Sequence, residues 1–285
     1  MTKNSAAFGS IRHVALDMDG TIYKGETLFA WTPGFLARLD ALGIGHTFLT
    51  NNSSRSREDY LRHLRKMGIV ATADQLYTST LATIDHVGKA YPASRRLYLI
   101  GTPSLADEFT GAGFEVVTDP QSEAEPDLVI VGFDTALEYT RLCKAAWWIK
   151  RGKPFIATHP DRVCPTDLPT VLVDCGAVCA CLESATGVEP TAVLGKPDPR
   201  MLTGILQRYG LAPHELAMVG DRLYTDMVMA QRAGVMGVLV LTGEATAEDA
   251  VQWPTLPTVV VPSLKELGDS LARARGGSSS AADGE

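Results

Sequence analysis

At 285 residues, with 45% hydrophobic side chains, the chain can build the core of one large domain or two ordinary ones. A net charge of -7, with no block of lysine or arginine, argues against a nucleic acid polymer as partner. No apolar run approaches the roughly 20 residues of a membrane span and the N-terminus lacks a signal-peptide core, so a soluble cytoplasmic protein with no membrane partner is expected.

After a loose tail, Met1 to Gly9, comes Val14-Ala15-Leu16-Asp17-Met18-Asp19-Gly20-Thr21, an apolar run ending in two carboxylates, a glycine and a hydroxyl. Side chains on a strand repeat every second residue, so Asp17 and Asp19 are expected to point the same way. Two like charges in one small space are costly unless a cation neutralises them or one keeps a proton, and both remedies are useful chemistry. The same residues also read as an ordinary turn at the end of a strand.

Thr32 and Pro33 then cap a predicted helix with Phe35, Leu36, Leu39 and Leu42 inward and Gly43 as its stop. A strand, Gly45 to Leu49, ends in Thr50-Asn51-Asn52-Ser53-Ser54, and the helix after it turns Tyr60, Leu61, Leu64 and Met67 inward before Gly68. Strand then helix, twice, is the rhythm of a parallel α/β sheet.

A middle block continues the alternation. Its predicted elements are a helix from Ser79 to Tyr91, a strand Arg96 to Ile100, a helix Pro103 to Ala112, strands Phe114 to Val117 and Leu128 to Gly132, and a helix with Leu137, Leu142, Ala146 and Ile149 on one side. Phe155 to Thr158 is another strand and Val178 to Ala185 a helix, so the block has a core pattern of its own. Trp147 and Trp148 read as helix core or a subunit contact. The five cysteines, Cys143, Cys164, Cys175, Cys179 and Cys181, are odd in number without paired zinc spacing, which suits free thiols in a reducing compartment.

The third block returns to the first rhythm. A short strand, Ala192 to Leu194, ends in Gly195-Lys196-Pro197-Asp198-Pro199, with Asp198 and Pro199 placed to start a helix whose buried face is Leu202, Ile205, Leu206 and Tyr209. The strand Leu216 to Val219 ends in Gly220-Asp221-Arg222 and leads to a helix containing Asp226. Strands Val238 to Leu241 and Thr258 to Val261 follow, then a helix opened by a Ser263/Glu266 capping box with Leu264, Leu267 and Leu271 inward, and a second loose tail from Gly276.

Four strands therefore end in polar clusters: Asp17 with Asp19, Thr50 with Asn51, Lys196, and Asp221. Ligands of open parallel sheets sit outside the carboxyl ends of the strands, so these clusters are expected to converge. Carboxylates without cysteine or histidine beside them are hard oxygen ligands that favour magnesium over zinc. A divalent cation with a lysine, a threonine hydroxyl and loop amides makes a cage for a phosphoryl group. An ionised aspartate there can attack phosphorus, and a carboxyl two residues on can serve the leaving oxygen and then water.

Asp17-Met18-Asp19-Gly20-Thr21, Thr50-Asn51-Asn52, Lys196-Pro197 and Gly220-Asp221-Arg222 through Asp226 resemble the four ordered motifs of the haloacid dehalogenase (HAD) superfamily of phosphatases. The middle block resembles the α/β cap of its NagD-type branch, on Ala157-Thr158-His159-Pro160-Asp161, Gly176-Ala177 and Gly195-Lys196-Pro197-Asp198-Pro199. The resemblance implies an α/β fold. A Rossmann-like core with a parallel sheet and helices on both faces would be formed by 1–81 and 187–285, and 82–186 would be the inserted cap. It further implies Asp17 as nucleophile and metal ligand, and Asp19 as acid/base with its backbone carbonyl on the metal. Thr50, the Asn51 backbone and Lys196 would hold the phosphoryl oxygens, with Asn52 as an added contact. Asp221 would ligate magnesium, and Asp226 would support the metal or orient Lys196. His159 and Asp161 are the cap's candidate substrate contacts, although a histidine beside proline in a loop is more often structural. Cys164 and Cys175 fall near the implied pocket, yet cysteine is usually small buried filling.

The activity so implied is magnesium-dependent hydrolysis of a small phosphorylated metabolite, such as a nucleotide or sugar phosphate, through an aspartyl phosphate. Two alternatives stay open at this level: transfer of the phosphoryl group to an acceptor hydroxyl, and a phosphate-binding module without turnover. The resemblance leaves assembly open and admits a homodimer.

Overall fold

A computed structural model describes residues 8–164, 169–253 and 258–276. Apart from Phe8, Gly9 and Gly276, the two expected tails lie outside the described residues. The chain forms two compact units, one of Met1–Leu49, His63–Tyr77 and Leu202–Glu285, the other of Thr50–Arg62 and Thr78–Met201.

The first is organised on a six-stranded sheet whose order is Val259–Val261, Met236–Val240, Leu216–Gly220, His13–Asp17, Gly45–Thr50, Leu76–Thr78. The pairings from Val259–Val261 through Gly45–Thr50 are parallel. The strands His13–Asp17 and Leu216–Gly220 are buried along their whole length, as expected of central strands covered on both faces. Register sets Leu16 opposite Val219, so Asp17 and Asp221, one or two residues further along, leave the sheet at the same edge.

The second unit holds a five-stranded, all-parallel sheet in the order Ala192–Val193, Phe155–Ala157, Leu128–Val131, Arg96–Ile100, Glu115–Val117. Its core shows the two-residue period of a strand directly. Leu97 and Leu99 face one cluster with Leu105 and Phe109, whereas Tyr98 and Ile100 face another with Trp148, Ile149, Val178 and Leu182. Thr102 accepts from the Leu105 amide and Pro103 fills the first helical position, so the helix Pro103–Gly111 starts with its exposed donors capped.

Several local expectations change. Thr32 is not a cap: Trp31 precedes the helix Thr32–Ala41, and the buried Thr32 hydroxyl donates instead to the Ile22 carbonyl, at 2.7 Å. Tyr209 is 37% exposed rather than inward; its ring lies 4.3 Å from that of His13 and its hydroxyl donates to the Asp74 carbonyl. Such a ring covers apolar surface while its polar tip finds an acceptor, which helical periodicity alone does not distinguish from full burial. The helix expected around Asp226 begins as a π-helical turn, Leu223–Met227, before Val228–Ala233. The strand Leu76–Thr78, a two-residue hairpin Tyr23–Lys24 with Thr27–Leu28, and the helix Ala247–Gln252 were not expected. No helix among the described residues is long and apolar enough to cross a membrane.

Candidate active site

In the first unit three carboxylates meet beyond the sheet edge. Asp17 is the last residue of its strand and is 6% exposed; Asp221 follows its strand directly and is 2% exposed. Asp226 comes from the π-helical turn, whose wider winding carries its carboxylate back to accept from the Arg222 amide at 3.2 Å. One oxygen from each of Asp17, Asp221 and Asp226 lies within 4.8 Å of the others. Glycines permit this crowding. A methyl group on Gly20, which has φ +83°, or on Gly243 would fall on the Asp221 carboxylate, and one on Gly220 would fall on that of Asp226.

The electrostatics match the crowding. Burial, then the charges of Asp17 and Asp226, push the Asp221 carboxyl up to about 7. Burial opposes the Arg222 charge, but Asp17 and Asp221 outweigh it and hold the guanidinium above its usual range. One Asp221 oxygen accepts from the Glu244 amide at 2.7 Å, while Oδ1 is buried without a hydrogen-bond partner. Hard anionic oxygens, desolvated and with a buried lone pair unused, fit a divalent cation of the magnesium type.

Asp19 is placed differently from the expectation. The strand stops at Asp17, so Asp19 is exposed, accepts from the Gly25 amide at 3.2 Å, and does not share the carboxylate cluster. It stands at the surface of the loop.

In the second unit, buried Asn51 and Lys196 and half-buried Asp161 form a hydrogen-bonded network. The Asn51 carboxamide oxygen accepts from the Lys196 amide at 2.6 Å, and its nitrogen donates both to the Lys196 carbonyl and to Asp161 Oδ2, each at 3.0 Å. Lys196 itself is 3% exposed and precedes a cis proline. Thr50 Oγ1 accepts from the Asn52 amide at 3.2 Å, and Asn52 Oδ1 accepts from the amide and hydroxyl of Ser54, so Asn52 forms a turn.

His159 is fully buried, with Nε2 2.9 Å from Asp174 Oδ1 and Nδ1 2.9 Å from the Thr158 hydroxyl. Burial disfavours its charge, but Cys175 and the Asp174 carboxylate raise the imidazole to about 9. Asp174 also caps the helix Cys175–Thr186 by accepting from the Cys175 amide. Burial likewise opposes a Cys175 thiolate, yet the Cys179 hydrogen bond and the His159 charge draw the thiol down to about 6. Of the two tryptophans, Trp148 is core and Trp147 is part-exposed. The Asp174 cap, the Glu244 amide and the Asn51 bridge escape the sequence reading; an aspartate before a helix was the one available signal.

Comparison with known proteins identifies the family. Residues 14–115 match the haloacid dehalogenase-like hydrolase family, and residues 193–267 match a second, HAD-hydrolase-like family. An acid sugar phosphatase of Staphylococcus aureus is 33% identical over 257 residues, 90% of this chain and 95% of the relative. The solved 4-nitrophenylphosphatase of Thermotoga maritima superposes with a TM-score of 0.86 at 39% identity, covering 93% of this chain and 99% of the other. A glycerol phosphate phosphatase of Mycobacterium tuberculosis, solved in complex with magnesium, gives 0.82 at 30% identity, covering 93% and 78%. The chain belongs to the haloacid dehalogenase-like hydrolases. Within them it is a NagD-type phosphatase, a phosphoric monoester hydrolase; NagD of E. coli is among its solved structural neighbours.

Proposed function

We propose that the chain hydrolyses a small soluble phosphomonoester, of the sugar or glycerol phosphate class, with magnesium and through an aspartyl phosphate on Asp17. The observation that carries this is the buried group of Asp17, Asp221 and Asp226 with the unused Asp221 oxygen beside it. The relatives, named for sugar, nitrophenyl and glycerol phosphates, support the substrate class.

In this reading Asp17, Asp221, Asp226 and the Asp19 carbonyl would hold the cation, which when bound would supply positive charge to the phosphoryl group. An Asp17 carboxylate oxygen forms a bond to phosphorus as the ester oxygen leaves, and Asp19 delivers the proton that oxygen needs. Asp19 then takes a proton from the water that attacks phosphorus, releasing phosphate and restoring Asp17. Thr50, the Asn51 backbone and Lys196 hold the phosphoryl oxygens, with residues 82–186 acting as the inserted cap. Steady-state assay with 4-nitrophenyl phosphate tests the scheme. Release of nitrophenol should require magnesium and vanish in Asp17→Asn; turnover that persists in that variant would refute it.

A further inference from the structure

Asn51 belongs to a motif whose main chain is proposed to meet the phosphoryl oxygens, and the hydrogen bonds of its side chain give it a further role. Its carboxamide makes three hydrogen bonds within the protein. It receives the Lys196 N–H, gives to the Lys196 C=O, and gives to Asp161. The first two span the main chain of Lys196 like a complementary peptide, which fixes both the position of its Cα and the plane of its peptide groups. The contact with Asp161 fixes the orientation of the carboxamide. A carboxylate accepts only, so it must face Nδ2, which leaves Oδ1 toward the Lys196 amide.

The segments that carry these residues are braced in turn. The Asn51 carbonyl accepts from the Ser79 hydroxyl; the Ser53 hydroxyl accepts from the Phe133 amide and from Thr158 at 3.1 Å; Thr158 lies 2.9 Å from His159, which pairs with Asp174. A methyl group on Gly195, at φ +71°, would stand 2.7 Å from His159 Cβ and 2.8 Å from Asn51 Oδ1. The segment before Lys196 is thus packed against both the bridging amide and the histidine.

We infer that Asn51 and Asp161 are positioning residues that act through Lys196, Asp161 orienting the Asn51 carboxamide and Asn51 clamping the Lys196 main chain. The inference deepens the proposed function and rests on its assignment of Lys196 to the phosphoryl oxygens. It assigns Asp161 a different task from a substrate contact, and the two tasks predict different kinetics.

The test is a double-mutant cycle on 4-nitrophenyl phosphate hydrolysis in saturating magnesium, with inorganic phosphate as competitive inhibitor and circular dichroism as the check on folding. Asn51→Ala should lower kcat/KM by about 30-fold and Asp161→Ala by about fivefold, with inhibition by phosphate weakening in parallel. Because both act through one lysine, the double variant should fall within about twofold of Asn51→Ala alone. Asp161→Asn keeps an acceptor oxygen for Asn51 and should lose clearly less than Asp161→Ala. Losses that multiply in the double variant, or an Asp161→Asn as impaired as Asp161→Ala, would overturn the inference. Should Asn51→Ala fail to fold, the comparison of Asp161→Asn with Asp161→Ala decides by itself. Failure of the underlying function shows elsewhere, as wild-type turnover that Asp17→Asn does not remove.

Discussion

The two polar clusters of this chain are built on opposite electrostatic plans. In the first unit, Asp17, Asp221 and Asp226 crowd like charges together, and one Asp221 oxygen is left without a hydrogen bond. In the second, His159 faces Asp174, both ring nitrogens are engaged, and the Asn51 carboxamide is used at both ends. Like charges held together by a fold are a cost that a bound cation offsets, whereas opposite charges fully hydrogen-bonded make a rigid mount. The first plan suits a group that must act; the second suits a group that must hold others still.

Removing one charge from each cluster should therefore have opposite consequences. Asp17→Asn should reduce phosphatase turnover by about four orders of magnitude, since a carboxamide is no nucleophile. The same change should raise the melting temperature of the metal-free protein, because it relieves repulsion of Asp221. Asp174→Ala should do the reverse to stability. It leaves a buried imidazole and the first amide of the helix Cys175–Thr186 without their acceptor, at a cost of about 3–5 kcal/mol in denaturant titration. A metal-free Asp17→Asn less stable than wild type would break the contrast.

Legibility in the sequence follows the same division. The acidic cluster was readable because its parts sit at strand ends, and the register of parallel strands decides where strand ends go; Asp17 and Asp221 needed only apolar runs to be found. The side-chain direction of Asp19 is not legible from the strand period, because the strand stops two residues before it. Asp226 was assigned by motif spacing, but its path through a π-helical turn has no periodic signature at one turn's length. The Asn51 bridge joins residues 145 positions apart by amide hydrogen bonds, which leave no pattern in composition or hydrophobicity. Helix faces were mostly legible, as with Leu264, Leu267 and Leu271, all buried; Tyr209 was the exception, since a phenol can cover a surface without entering it.

The smallest expected effect separates the clusters by pH. Burial and its acidic neighbours push the folded Asp221 carboxyl from its ordinary 3.8 up to about 7, so between these values the folded chain binds a proton that the unfolded chain has released. Its contribution to stability is present below about pH 4 and is lost as pH rises through 7. His159, at about 9 against 6.5, would by itself add a similar loss at higher pH, while Cys175, at about 6 against 9.0, shifts the other way. The two shifts have opposite signs, because each group's charge favours the other's. Their effects on the pH dependence of stability therefore oppose one another. In a chelator, melting temperature should accordingly fall by a few degrees from pH 4 to 7 in wild type and by less in Asp221→Asn. Saturating magnesium should flatten the wild-type curve, because a bound cation favours the ionised Asp221 that folding alone disfavours. A slope that magnesium leaves unchanged would show that Asp221 is not what the cation meets.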